Sequence, residues 1–258
     1  MTETEETGRL DGPTAATSVA NDLAALVIGR MAPGNSLPSE AELAQRYSVS
    51  RLTIREAVKM LAGRGLLELS RGRKAVVREP DGSVFGEFLT SITQYDPKAI
   101  FDLVEVRLSL EVQSAGLAAK RASRPALSAI ESALSGMREA AAEGQNGLDP
   151  DIAEKRFHGH DLDFHLAVAM ASGNRVLVYL FEAMASPLEE AFFISRRGHR
   201  LRGHTLDDTI AAHQLVLDRI AEGKQRAAAE AMRAHLQDTE RDIRASVATL
   251  TLRGSEDN

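Results

Sequence analysis

The residues best suited to chemistry lie in one run, Phe157-His158-Gly159-His160-Asp161-Leu162-Asp163-Phe164-His165. Asp161 and His165 stand four apart, which on a helix sets a carboxylate and an imidazole side by side on one face. That is a common way for a helix to offer a metal two ligands. Two later histidines fall on helical stripes: His213 with Ile210, Leu217 and Ile220, and His235 within Ala-Met-Arg-Ala-His-Leu. The chain has no cysteine. Disulfides and thiolate chemistry are therefore excluded, and any metal would rest on histidine and carboxylate. A histidine on an apolar stripe is more often a satisfied core residue than a ligand, so spacing alone does not join these residues into one site. His158, seven residues before His165, lies on nearly the same stripe; it reads as a competing ligand or as the rim of a cavity, and the rim is preferred.

A second chemical face lies near the N-terminus, between Leu37 and Val58. Ser39 with Glu42 three residues on forms a capping box that opens a short helix. The chain turns at Ser48-Val49, and Ser50 caps another helix whose Ile54, Ala57, Val58 and Leu61 make a buried stripe. Arg51, Thr53, Arg55 and Lys59 lie off that stripe. A helix buried on one side and cationic on the other suits a major groove, where arginine reaches base edges or phosphates. Its alternative is an ordinary solvated face. Leu66–Ser70 and Lys74–Val77 then read as paired strands around Arg71-Gly72-Arg73, a hairpin whose tip would approach a phosphate or enter a minor groove.

These faces must be carried by elements that the rest of the chain supplies. Residues 1–17 are polar and aperiodic and read as a disordered tail, as do 251–258. An amphipathic helix is expected from Val19 to Met31, completing a module at 18–78, with a Pro/Gly-punctuated linker at 79–83. Across 84–250 no strand pattern appears. Helices are expected at about 84–94, 97–122, 125–143, 150–172, 174–196, 205–222 and 225–250, with breaks that include Gly173, Gly198 and Gly223. The fold class is therefore mainly α: three helices and a β-hairpin wing, then an all-α antiparallel bundle of six or seven helices.

The chain has 258 residues, 43% of them hydrophobic but only 4% aromatic, so its core must come from Leu, Val, Ile and Ala. Its net charge of −6 is unevenly spread: −3 over residues 1–19, +4 over 20–80 and −7 beyond. A basic module joined to an acidic one fits nucleic-acid binding by the first part alone. No run of eighteen apolar residues exists, which argues against membrane association. The acidic Met-Thr-Glu-Thr-Glu-Glu start lacks the layout of a signal peptide, so a cytoplasmic location is expected.

Residues Ala20 to Val77 resemble the winged helix-turn-helix of the GntR family of bacterial transcription regulators. The resemblance rests on Met31-Ala32-Pro33-Gly34, Leu37-Pro38-Ser39-Glu40, Val49-Ser50-Arg51 and Arg55-Glu56-Ala57. It implies DNA contacts from Ser39, Ser50, Arg51, Thr53, Arg55, Arg71, Gly72 and Arg73. Two positions depart from it: Ala41 stands where some relatives carry a basic residue, and Leu52 where a small polar residue is common. Leu52 could instead touch a thymine methyl.

Residues 97 to 245 resemble the all-helical FCD effector domain of the FadR-like branch. The motifs are Glu105-Val106-Arg107 with Glu111, Asp161 to His165 followed by Ser172-Gly173-Asn174, then His213, and Met232-Arg233-Ala234-His235-Leu236. This resemblance, rather than spacing, joins Asp161, His165, His213 and His235 into one divalent-metal site, for zinc first and otherwise nickel, manganese or iron. It also implies that Arg107 holds the carboxylate of a small organic acid. By itself Arg107 reads either as half of a surface ion pair with Glu111 or as an inward anchor. Asn174 reads as a cavity residue or as an ordinary helix N-cap.

The expectation is thus a DNA-binding regulator, a repressor, controlled by a small acid bound beside a metal and acting as a homodimer on a palindromic operator. A metal sensor or structural-metal regulator without organic effector is the first alternative. A metal-dependent hydrolase or lyase is the second, and the lack of a general base placed by motif argues against an enzyme.

Overall fold

The computed structural model describes residues 14–254, Pro97 excepted. The chain forms two compact units that part between Val84 and Phe85. Residues 1–13 and 255–258, expected as tails, lie outside the described residues. The tail reading fails for residues 14–17. Thr14 Oγ1 accepts from the Thr17 N–H at 3.2 Å and caps a helix that starts at Ala15. At the other end the last helix continues to Gly254, so residues 251–254 are helical.

In the first unit α1 (Ala15–Arg30) buries Ala16, Val19, Ala20, Leu23 and Val27. α2 (Glu40–Tyr47) opens with the full capping box: the Ser39 N–H donates to Glu42 Oε2 at 2.6 Å, and the Glu42 N–H to Ser39 Oγ at 3.3 Å. Ser48, at φ 53°, makes the left-handed turn out of α2. α3 (Arg51–Gly63) is capped by Ser50, which accepts from the Thr53 N–H at 3.0 Å. Ile54, Ala57, Val58 and Leu61 seat α3 on α1 and α2. At roughly 1.5–3 kcal/mol for each large aliphatic residue, this stripe fixes the angle at which α3 presents its other face.

The hairpin is shorter than the expected strands. β1 (Leu67–Glu68) pairs antiparallel with β2 (Val76–Val77), in register Leu67 with Val77 and Glu68 with Val76. The other edge of β2 is taken by residues 34–37, which local patterning did not reveal. Leu37 N–H donates to the Ala75 carbonyl at 2.8 Å, and Val77 N–H to that of Asn35 at 2.8 Å. Gly34, at φ 84°, permits the turn into this pairing.

The second unit is a bundle of α4 (Ser83–Tyr95, whose first two residues precede the division), α5 (Ala99–Arg121), α6 (Arg124–Gln145), α7 (Pro150–Ala171), α8 (Arg175–Leu201), α9 (Leu206–Ala221) and α10 (Gln225–Gly254). α10 packs on α5, α8 and α9, while α6 packs on α7 and α9. The core is rich in alanine (Ala115, Ala118, Ala133, Ala140, Ala228) around Ile130, Leu134, Met137, Phe157, Phe164 and Met232. Small side chains let the helices approach closely, which is how so few aromatics suffice. The expected linker is partly built into α4: Asp81 accepts from the Ser83 N–H at 3.0 Å and pairs with Arg78.

The expected break at Gly198 does not occur, and α8 runs through it to Leu201. A Cβ at residue 198 would lie 1.7 Å from the Asp242 carbonyl oxygen. Glycine stands there because α8 and α10 cross backbone to backbone.

Candidate functional site

In the first unit the cationic face is as the pattern requires. Arg51, Leu52, Arg55 and Lys59 are exposed on α3, with Leu52 at 63%. Arg71, Gly72 and Arg73 are exposed at the hairpin tip, where Gly72 has φ 74°. Between α2, α3 and the tip runs a groove lined by Ser39, Glu40, Arg55, Lys59, Arg73 and Lys74, among others. Ser39 and Ser50 are helix caps, and Thr53 is half-buried with its hydroxyl 2.8 Å from Ser50 Oγ. Helix N-termini favour phosphate, so capping and phosphate contact are compatible roles. Arg55 is engaged in a bidentate pair with Glu40, at 3.1 and 2.8 Å.

The second unit brings Asp161, His165, His213 and His235 together from α7, α9 and α10. The ligating nitrogens of the three histidines lie within 4.8 Å of one another. Asp161 Oδ1 is 3.0 Å from His213 Nε2 and 4.0 Å from His165 Nε2, and the two Nε2 atoms are 3.3 Å apart. The outer hydrogen bonds set the tautomers. His213 Nδ1 lies 2.8 Å from the Thr209 carbonyl, which can only accept, so Nδ1 carries the proton. His165 Nδ1 meets the Glu111 carboxylate in the same way. Burial pushes His165 below the ordinary imidazole range, and His235 well below it. With a proton on Nδ1, each ring turns its Nε2 edge toward the Asp161 carboxylate. Two imidazole nitrogens and a carboxylate oxygen gathered within 3.0 to 4.0 Å match the donor set of a divalent cation.

Glu111 unites the two readings of Arg107. The guanidinium does pair with Glu111 across one helical turn, but the pair is inside, with side chains 12% and 3% exposed. Burial works against the Glu111 charge. Arg107 and His165 beside it nonetheless bring its carboxyl down to about 2. Glu111 therefore holds Arg107 with one oxygen and His165 with the other. Its place in a motif was legible from the sequence, but this orienting role was not.

Arg107, Asp161 and His235 line a cavity of about 80 Å3, several times the ~10–15 Å3 that one water needs. His165 and His213 are closed off behind it. Much of the remaining wall comes from two faces: Phe192, Ser195, Arg196 and His199 on α8, and His235, Asp238, Thr239 and Asp242 on α10. Both sets have the i, i+3, i+4, i+7 spacing of a helix stripe. The α8 set was illegible once that helix was ended before Gly198. The α10 set was legible, but its polar members resemble a solvated face.

His199, Asp238 and Asp242 form a second cluster of ligand types, yet it is already satisfied. His199 Nδ1 bonds Asp242 at 2.8 Å and Nε2 the Thr205 carbonyl at 2.8 Å, which requires protons on both nitrogens. The Asp242 bond accordingly raises the His199 pKa. Arg202 reaches both carboxylates. Two expected site residues lie elsewhere. Asn174 is the N-cap of α8, accepting from the Val176 N–H at 3.1 Å, and is not among the cavity-lining residues. Its cap position at the Gly173 turn draws it away. His158, expected at the rim, backs the wall instead: its ring stacks on Phe192 at 3.7 Å, outside the histidine cluster.

Residues 16–77 match the description "Bacterial regulatory proteins, gntR family", and residues 102–238 match the FCD domain. The chain is similar to the HTH-type transcriptional regulator LutR of Bacillus subtilis, 30% identical over 82% of this chain and 93% of that protein. It is 32% identical to the galactonate operon transcriptional repressor of Escherichia coli, over 76% of this chain and 81% of the repressor. Among solved structures, Streptococcus agalactiae GntR superposes with a TM-score of 0.70 at 28% identity, covering 88% of this chain and 99% of that one. These relatives are transcription regulators rather than enzymes, and no described helix is long and apolar enough to cross a membrane.

Proposed function

The chain belongs to the gntR family of bacterial transcription regulators, with an FCD domain, and on that footing we propose that a small carboxylate bound beside a divalent metal controls its grip on DNA. One observation carries the reading: the Nε2 atoms of His165 and His213 converge with the Asp161 oxygen just behind a cavity that Asp161, His235 and Arg107 line. Asp161, His165, His213 and His235 would hold the metal. Three imidazoles and one carboxylate suit zinc first, and nickel, manganese or iron after it. When bound, the metal supplies a Lewis-acidic position for a carboxylate oxygen. Arg107 contributes a charge-assisted contact to the same group, and Glu111 keeps Arg107 and the His165 ring in place.

At the DNA end, Arg51 and Arg55 reach base edges, and the Arg71–Arg73 tip takes a phosphate or the minor groove. Ser39, Ser50 and Thr53 back them at the two helix N-termini. A single head of this size makes few contacts, so we propose a two-fold dimer on a palindromic operator. The apolar stripe Val84, Phe88, Ile92 and Tyr95 on α4, exposed by 38% to 94%, supports a further protein surface there. Repression, the role that the galactonate relative is named for, is the sign we propose, in the cytoplasm where the operator is. The acid acts by binding one arrangement of the dimer better than another; equal affinity would shift nothing.

The test is operator binding by fluorescence anisotropy, with metal and acid each added or withheld. Release by acid only when metal is present supports the reading. Release on chelation alone would favour a metal sensor.

A further inference from the structure

Resting on that reading of the cavity, the charges along its wall can be followed one at a time. Asp161 faces His213 at 3.0 Å, and Asp208 accepts from the Thr205 N–H at 2.7 Å. Asp238 takes Arg202 at 2.9 Å, and Asp242 takes His199 at 2.8 Å. Arg107 holds Glu111. Arg196 is different. Its side chain is only 13% exposed, and neither Nε nor Nη1 has a hydrogen-bond partner. The nearest acid, Glu154, stands 3.6 Å from Nε, beyond hydrogen-bond range, and is equally far from Arg200. Phe157 lies beneath the guanidinium, with Cζ 5.9 Å from its centroid. Burial pushes the Arg196 pKa down. A buried guanidinium with idle donors on a cavity wall calls for an anion.

We propose that the effector carries two acidic groups, one held at the metal and Arg107 and the second by Arg196. The volume sets its size. About 80 Å3 corresponds to roughly five to eight waters, so a dicarboxylate of about four carbons fits and a long-chain acid does not. The aliphatic middle of such a molecule would lie against Val104, Phe192 and Ile243, the apolar part of the wall.

The test compares matched probes on the full-length protein loaded in turn with zinc, nickel, manganese and iron: butyrate against succinate, and lactate against malate. Calorimetry should show each dicarboxylate binding about tenfold or more tighter than its partner, as expected of a charge-assisted pair. Arg196→Gln should erase that preference while leaving the monocarboxylate Kd within about twofold. Arg196→Lys, which keeps the charge and serves if the glutamine variant folds poorly, should retain part of it. Equal binding of butyrate and succinate to the natural protein would overturn the proposal and leave the metal–carboxylate site standing. So would an Arg196→Gln variant that weakens both classes alike. If no probe binds with any metal, the carboxylate reading itself fails, and this inference with it.

Discussion

Replacing Glu111 by glutamine separates orientation from ligation, because Glu111 touches a ligand without being one. The variant keeps the shape and an acceptor oxygen but loses the charge that holds Arg107 and the Nδ1 proton of His165. Bringing the carboxyl from 4.5 to about 2 represents ~3 kcal/mol of net support for that charge, shared between the two partners. If about half belongs to His165, the variant loses ~1–2 kcal/mol of metal affinity, roughly 5- to 30-fold. Outer-shell partners elsewhere are worth 10–100-fold. The assay is competition with a chromophoric chelator at neutral pH, with circular dichroism confirming that the bundle remains helical. Stability must be followed separately, since Arg107 would be left buried with a weaker partner. A metal Kd within about twofold of the natural protein would refute the idea that Glu111 fixes His165 for coordination.

Other perturbations test the remaining parts. Arg51→Ala should cost about 1–3 kcal/mol of operator binding if it makes a bidentate base contact. Arg55→Ala should cost less, because Arg55 must first leave Glu40, and Glu40→Gln should tighten operator binding; both are read by anisotropy. Gly198→Ala should lower the melting temperature sharply, since the new Cβ meets the Asp242 carbonyl at 1.7 Å. Gly159→Ala, in an exposed turn of α7 with nothing within 4 Å, should leave stability unchanged or raise it by about 0.5–1 kcal/mol. A rise for Gly198→Ala would mean that α8 does not cross α10 at this point. His199 has a raised folded pKa, so its bond to Asp242 contributes fully below the unfolded value near 6.5 and is lost as pH rises through the folded one. The melting temperature should therefore fall with rising pH above about 6.5, and His199→Gln should flatten that slope.

The reading unit was legible because each of its signals is local. Ser39 with Glu42 and Ser50 with Thr53 announce two helix starts, and the 54, 57, 58, 61 stripe fixes which face is buried. The partner of β2 at residues 34–37 was hidden, because that pairing spans some forty residues of sequence and has no strand pattern of its own. Gly198 misled for a related reason. A glycine inside a helix signals an exit when read locally, and only the approach of Asp242, forty-four residues on, explains it. Arg107 and Glu111 illustrate a third limit. Their spacing declares an ion pair but says nothing of burial, and burial is what turns a weak surface pair into a clamp for a metal ligand. Asn174 shows the converse: a residue in the right motif was taken by the nearest helix end.

The joint metal–acid site is tested most directly by elemental analysis of the purified chain, followed by acid titration with and without chelator. One divalent metal per chain is expected, together with an acid whose stabilisation disappears on chelation. Absence of metal, together with acid binding indifferent to added metal, would contradict it. The four converging side chains would then be an ordinary polar core, and DNA binding by the N-terminal unit would stand alone.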